Sequence, residues 1–330
     1  MPLQIPQQYQ QRELCLPPPP RYAPFESGVY KFAPGLHQLG KDFGNGAMDG
    51  MVFQIDQEFP RFRANYEDAR RELHRYHGIV DGSQETVAHI TRWIIDQLAA
   101  EHPALFRRTQ AGSNCQLACT LTGDTLLFDE HAQLLPQSDG GYVSALDALG
   151  AQVQEDLAIA QVTRDGDSLI AVHVTAPGHW APDEKLGKSF IGVHAPVPNM
   201  ERINNKADQL MRALTEGVCY VRFAWALPTD PRLNHYPQPP TDWPGTRDEW
   251  WGRRFDPANP EVYVVVERQV LVGFPDVSAF LFTIRRIFMD IDELTLQQRR
   301  GLHAAAAGLT PEVHKYKGIS DELLAWLGHA

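Results

Sequence analysis

A chain of 330 residues, 43% hydrophobic and 22% charged, has enough apolar material for a sizeable core and the composition of a soluble globular protein. Its net charge of −11 excludes a nucleic-acid binder built on a basic face, because phosphate contact needs clustered lysine and arginine. No apolar run reaches the roughly 20 residues that span a bilayer, and the N-terminus from Met1 to Pro6 lacks the basic-then-apolar order of an export signal. A cytoplasmic protein with no membrane or nucleic-acid partner is expected.

Residues 1–50 are rich in Pro, Gln and Gly, Pro17 to Pro20 included, and predict an extended arm; residues 51–330 are read as one domain. Two helices follow the arm. The first runs from about Pro60 to Tyr76. The second runs from about Ser83 to Ala100, with Val87, Ile90, Ile94 and Leu98 as an apolar stripe made for packing. From Val153 the rhythm becomes that of strands. Val153–Val162 and Leu169–Thr175 flank Arg164-Asp-Gly-Asp167, whose Asp-Gly is a hairpin signal. A helix is expected over Asn199–Glu216, then strands over Val218–Ala226, Val262–Val270 and Ala279–Phe288. Helices over Asp292–Ala307, Pro311–Tyr316 and Asp321–Leu327 close the chain. Between the third and fourth strands, Pro228–Pro260 is rich in proline and carries Trp243, Trp250 and Trp251. A loop of that length inside a compact domain is commonly a lid, a partner surface or a site wall. The pattern is α+β: about five largely antiparallel strands with helices before, between and after.

Cys15, Cys115, Cys119 and Cys219 make no disulfide framework in a chain this long and are read as reduced thiols. There is no Gly-x-Gly-x-x-Gly fingerprint and no Gly-x-x-x-x-Gly-Lys-Ser/Thr loop, so nicotinamide electrons would have to come from another chain. Several residues could carry chemistry. Ile191-Gly-Val-His194-Ala-Pro-Val-Pro198 holds an imidazole stiffly at an apolar boundary, where it is either a packed core histidine or a metal or haem ligand. Gln154-Glu-Asp156 sets two carboxylates in a strand, facing opposite ways, with backbone capping as the alternative to chemistry. Glu267 and Arg268 interrupt an apolar strand and also face opposite ways, and each requires a partner or a polar cavity. Arg285 ends an apolar run. It suits either a ligand carboxylate or a salt bridge to Glu267 or Asp156; Arg222 and Trp225 sit on the third strand.

In order along the chain, Gln154-Glu-Asp-Leu157, Trp180 with Lys185-Leu-Gly187, His194-Ala-Pro-Val-Pro198, Arg222 with Trp225, Glu267-Arg-Gln269, Phe282-Thr-Ile-Arg285 and Tyr316-Lys-Gly318 resemble the haem-dependent oxidative N-demethylase alpha-subunit family. The likeness runs over about residues 45–320. It implies a PAS-like sheet holding haem b, and oxidative removal of a methyl group from a small amine such as dimethylamine, with O₂ consumed and formaldehyde released. It also implies electrons from NADPH through a partner reductase that carries FMN and a 2Fe–2S cluster. Carried over by position, His194 is the axial iron ligand, with His173 and His179 the nearest rivals. Arg222, Arg268 and Arg285 are candidates for the haem propionates, and Glu267 is the catalytic carboxylate that holds the protonated amine. The chain departs from the family pattern at Pro177-Gly-His179-Trp180, where Pro-Ser-Arg-Trp is expected, and at Ala224-Trp225, where Asn-Trp is expected. The alternative reading is a non-catalytic haem-binding PAS-like sensor or binding module, or a relative that has lost haem; no output domain accompanies the fold.

Overall fold

The computed structural model describes residues 15–329; residues 1–14 of the expected arm lie outside that range. In chain order the elements are β1 (His37–Gln38), α1 (Phe59–Ala69), β2 (His77–Ile79), α2 (Gln84–Glu101), β3 (Phe106–Ala111), β4 (Asn114–Cys119), β5 (Thr125–Phe128) and α3 (Ala145–Gly150). Then come β6 (Asp156–Thr163), β7 (Gly166–His173), α4 (Pro182–Lys185), α5 (Phe190–His194), α6 (Glu201–Asn204), α7 (Ala207–Leu214) and β8 (Cys219–Ala226). The last are α8 (Arg247–Trp251), β9 (Tyr263–Phe274), β10 (Ala279–Asp290), α9 (Leu296–Ala307), α10 (Pro311–Lys317) and α11 (Asp321–Leu327).

The α+β class is observed, but the sheet is larger than the five strands expected. Seven strands lie in the order β1-β8-β9-β10-β6-β7-β2, and β3-β4-β5 form a separate three-stranded sheet. The five expected strands are the centre of the large sheet. The additions are short: β1 pairs only with Tyr220 and Val221, and β2 only with Ala171 to His173. All pairs are antiparallel. Two expected helices break. The first stops at Ala69 and continues as a tight turn with Glu72 out of helical geometry (φ −130°, ψ 44°). The helix expected over 199–216 is two pieces, α6 and α7, because Lys206 (φ −122°) interrupts it. β9 and β10 run on to Phe274 and Asp290. Strand β9 can continue because Gly273 leaves space for the end of α7, where a Cβ would meet the Leu214 carbonyl at 2.5 Å.

The two faces of the sheet differ. One face buries Leu157, Ile159, Val270, Val272 and Leu281 against the α2 stripe, and Trp225, Val264, Val266, Ile287 and Met289 against α9 to α11. Between those two apolar clusters lies a buried polar belt. Arg285 Nη2 donates to Asp56 Oδ2 at 2.8 Å, with both side chains almost fully removed from water (1% and 0% exposed). The guanidinium also stacks over Phe62, 4.0 Å from the ring centroid. Arg268 Nη2 donates to the Met51 carbonyl at 2.6 Å. Glu155 Oε1 accepts from the Gln54 amide at 2.8 Å, and Gln154 exchanges hydrogen bonds with Asp56 through the backbone amide (2.7 Å) and the carboxylate (3.0 Å). This belt fixes the 49–56 segment, and the arm behind it, across the far face of the sheet. Phe25 of the arm is buried in the α9–α11 cluster, and Tyr22 donates to Asp49 at 2.9 Å.

Removing one partner of a fully buried ion pair leaves an uncompensated charge, at a cost of about 3–5 kcal/mol. Asp56→Ala is therefore expected to lower the free energy of urea unfolding by an amount in that range. A loss below about 1 kcal/mol, the size of a surface pair, would show that the belt is not the anchor described.

Candidate functional site

The opposite face is polar at its centre. Side chains alternate along β9, so Glu267 and Gln269 share a face and Arg268 points away. In register, Arg222 of β8 lies opposite Gln269 and Ala224 opposite Glu267; Ile284 and Arg286 of β10 lie opposite the same two residues. Asp156 of β6 lies opposite Ile284. Parity therefore gathers Arg222, Ala224, Glu267, Gln269, Arg286 and Asp156 on one face. Arg222, Ala224, Glu267 and Phe282 are only half-buried although all four are on inner strands, so the covering layer does not seal this part of the face.

That layer is α4 to α7. His194 is the last residue of α5; Ser189 caps the start by accepting from the Gly192 amide at 3.3 Å. Its Nδ1–H donates to the Phe190 carbonyl at 2.8 Å, and its ring lies 4.2 Å from that of Phe190. A carbonyl only accepts, so the tautomer is fixed: the proton is on Nδ1 and the lone pair on Nε2. Burial pushes the imidazole below its ordinary range, and the Arg222 guanidinium beside it acts the same way. His194 is neutral at pH 7, with Nε2 available as a ligand.

Glu267 Oε2 accepts from Gln269 Nε2 at 2.9 Å, while Oε1 faces Gly178, where a Cβ would come within 2.9 Å of it. Three cations feel this carboxylate: Arg222, Arg286 and Lys317. Among the described residues none of the three makes an ion pair. Arg222 Nε and Arg286 Nε are buried without a hydrogen-bond partner. A positive surplus of this kind, with an orphaned guanidinium donor, suits an incoming carboxylate.

The expected site wall is the 228–260 segment, which closes the Arg286 end. Arg286 donates to the carbonyls of Leu233 and Ala176, and Nη1 lies 3.5 Å from His235 Nδ1. Trp250 Nε1 donates to the Tyr236 carbonyl at 2.6 Å, and Arg232 stacks over Trp250 (4.5 Å) and Trp243 (5.0 Å). His179 stacks on His235 at 4.8 Å and donates through Nε2 to the Trp251 carbonyl at 2.8 Å. These contacts hold it at φ 68°, a left-handed conformation that is costly for a residue with a side chain.

The remaining candidates lie elsewhere. Arg268 and Arg285 are on the far face, in the belt that anchors residues 49–56, so the structure does not bring them to Glu267, Arg222 and His194. Arg285 pairs with Asp56 rather than with Glu267 or Asp156. Asp156 Oδ1 caps the Thr175 amide at 2.7 Å and the Ala176 amide at 3.1 Å, and neither it nor Glu155 is solvated. His173 is a core residue, 3.2 Å from Asp147 and stacked on Tyr66. Sequence reasoning missed Arg286, although strand parity alone sets it apart from Arg285. It also gave Lys317 and Gln269 no role, though both stand in the quoted motifs.

The half-open sheet face is thus polar and rich in cations, with a histidine oriented by a backbone carbonyl in the helix layer that covers it. The family model for haem-dependent oxidative N-demethylase, alpha subunit-like, matches residues 47–322, and the chain belongs to that family. Among the described residues no helix is long and apolar enough to cross a membrane.

Burial pushes the Glu155 carboxyl up from 4.5 to about 7, against the pull of Arg285 and the Gln54 amide. Between those two values the fold holds a proton that the unfolded chain has released. The group's contribution to stability is therefore full below pH 4.5 and is lost as pH rises through about 7. Glu155→Gln removes that titration. In urea unfolding the variant should gain on the wild type by roughly 1 kcal/mol per pH unit across the window, below the ceiling of about 1.4 set by one proton. A difference independent of pH would sink the assignment.

Proposed function

We propose that this chain is the haem-binding, oxygen-using subunit of an oxidative N-demethylase for a small methylated amine of the dimethylamine type. The observation that carries the reading is the pairing of His194, its Nε2 free and its ring fixed by Phe190, with Arg222 and Glu267 on the facing half-open strands. The residues fit a haem. His194 Nε2 would ligate the iron, since a neutral imidazole nitrogen is a common protein ligand of haem. Arg222, with its orphaned Nε, is the arginine of the three candidates that faces the site and would take a propionate. The order of the five central strands, β7-β6-β10-β9-β8, places the first and last of them side by side and leaves one face to the helices between the second and third. That arrangement supports the PAS-like reading, with residues 51–330 as the cofactor-binding unit and the arm strapped across its far face.

When bound, the haem supplies the oxygen and one-electron chemistry that side chains cannot perform. The protein does the rest. Glu267 offers Oε1 to an ammonium, and Gln269 holds the other oxygen so that the carboxylate keeps one orientation. Phe190 and Phe282, apolar and next to the polar strip, keep water from the site. Demethylation consumes O₂, two electrons and two protons, breaks the N–CH₃ bond, and yields the demethylated amine, formaldehyde and water. The electrons belong to a partner reductase bearing FMN and a 2Fe–2S cluster and fed by NADPH, in a cytoplasmic setting.

Protein reconstituted with haem is expected to show a Soret band, and His194→Ala to lose it or change its ligation. An unaltered spectrum would point to His179. With a surrogate reductant and a panel of methylamines the wild type should release formaldehyde. Glu267→Gln should lower kcat/KM by about tenfold or more, the scale of a lost charge-assisted hydrogen bond. A normal Soret band with no formaldehyde from any amine would favour the sensor reading.

A further inference from the structure

Glu267 is short of partners in one direction and crowded with cations in another. Lys317 shows this best. It is 8% exposed, and its ammonium makes one hydrogen bond, to the Trp225 carbonyl at 2.7 Å. That carbonyl is free because β1 begins at His37, opposite Val221, and among the described residues nothing before it pairs further along β8, which leaves the rest of β8 an open edge on that side. The ammonium also lies over the rings of Tyr30 (5.2 Å) and Trp225 (5.1 Å), so aromatic faces take the place of a counter-ion. Arg253 is close to both Lys317 and His179. Its Nη1 donates to the Tyr316 carbonyl at 3.0 Å, and its stem lies so close to Gly318 (φ 72°) that a Cβ there would meet Arg253 Cδ at 2.4 Å. Among the described residues neither cation makes an ion pair.

Lys317 beside this carboxylate, with Arg253 next to it, is poorly arranged for a bare alkylammonium, because such cations offset the field that would attract it. They suit a molecule with charge of both signs. Ala224, the cross-strand neighbour of Glu267, is small, and leaves the carboxylate open toward the edge where Lys317 lies. Gly178 allows the chain on the other side to approach Oε1 without displacing it.

We infer that the amine held by Glu267 is zwitterionic, an N-methylated amino acid whose ammonium pairs with Glu267 and whose carboxylate is taken by Lys317 and Arg253. This inference rests on the demethylase reading and narrows its substrate class. The reaction is then N-methyl amino acid plus O₂, two reductase electrons and two protons to the demethylated amino acid, formaldehyde and water. In the substrate one methyl C–H bond and the N–CH₃ bond break, O₂ is divided between formaldehyde and water, and the carboxylate is kept. Lys317 and Arg253 act on the substrate's carboxylate and not on the reacting carbon, so they determine specificity rather than chemistry.

The test compares N,N-dimethylglycine with dimethylamine on the haem-loaded wild type and on Lys317→Met, Lys317→Arg and Arg253→Gln. Two readouts are taken, the shift in thermal unfolding on binding and the kcat/KM for formaldehyde release. In the wild type dimethylglycine should be the better stabiliser and the better substrate, by about tenfold or more, the scale of one charged contact. Lys317→Met and Arg253→Gln should each erase most of that preference with the Soret band unchanged, while Lys317→Arg keeps it. Dimethylamine preferred by the wild type would overturn the inference. So would loss of haem from the variants, since the two cations would then be serving the propionates. Dimethylglycine binding more tightly with no formaldehyde from either compound would uphold the zwitterion site and sink the demethylase reading instead.

Discussion

A guanidinium shut away from water has to be met inside the protein, and the way Arg285 and Arg268 are met decides how the rest of the sheet can be used. Both project to the same side as the two apolar clusters. Left alone there, each would cost several kcal/mol. The 49–56 segment meets them with Asp56 and the Met51 carbonyl, and in doing so threads the chain between the clusters. With that face filled, the alternation of β8, β9 and β10 commits Arg222, Glu267, Gln269 and Arg286 to the other. The polar belt on one side and the candidate site on the other are thus two outcomes of one parity. A shift of one residue in the β9–β10 register would exchange them.

Much of this was legible in the sequence, for reasons that differ by element. The long central strands announce themselves through apolar runs, and the α2 stripe through its helical period; both were placed within a few residues. What was missed lacks a period to detect. β1 has two residues and β2 has three, and β3 (Phe-Arg-Arg-Thr-Gln-Ala) shows one buried position and five exposed ones. α5 is too short for any apolar stripe, so nothing in the sequence marks the helix that His194 ends.

The site was half readable. That Glu267 and Arg268 face opposite ways follows from strand geometry alone. Which of the two looks into the core does not, because that depends on Asp56, 229 residues away from Arg285 along the chain. Hence all three strand arginines looked alike, and only the fold separates Arg222 from Arg268 and Arg285. Arg253 and Lys317 were hidden differently. One lies in a proline-rich loop and the other at the end of a helix, and nothing in the sequence says that both return to the edge of β8.

That edge has a second meaning. A strand with unpaired backbone groups is a template on which another chain can add, and proteins commonly blunt such edges with a lysine or a covering segment. Here the ammonium that occupies the Trp225 carbonyl, together with Tyr30 of the arm, closes the outer margin of β8. Protection against edge-to-edge association and the proposed reception of a substrate carboxylate therefore fall to the same lysine, so changes that retune the site also bear on how well the protein stays apart from its own copies.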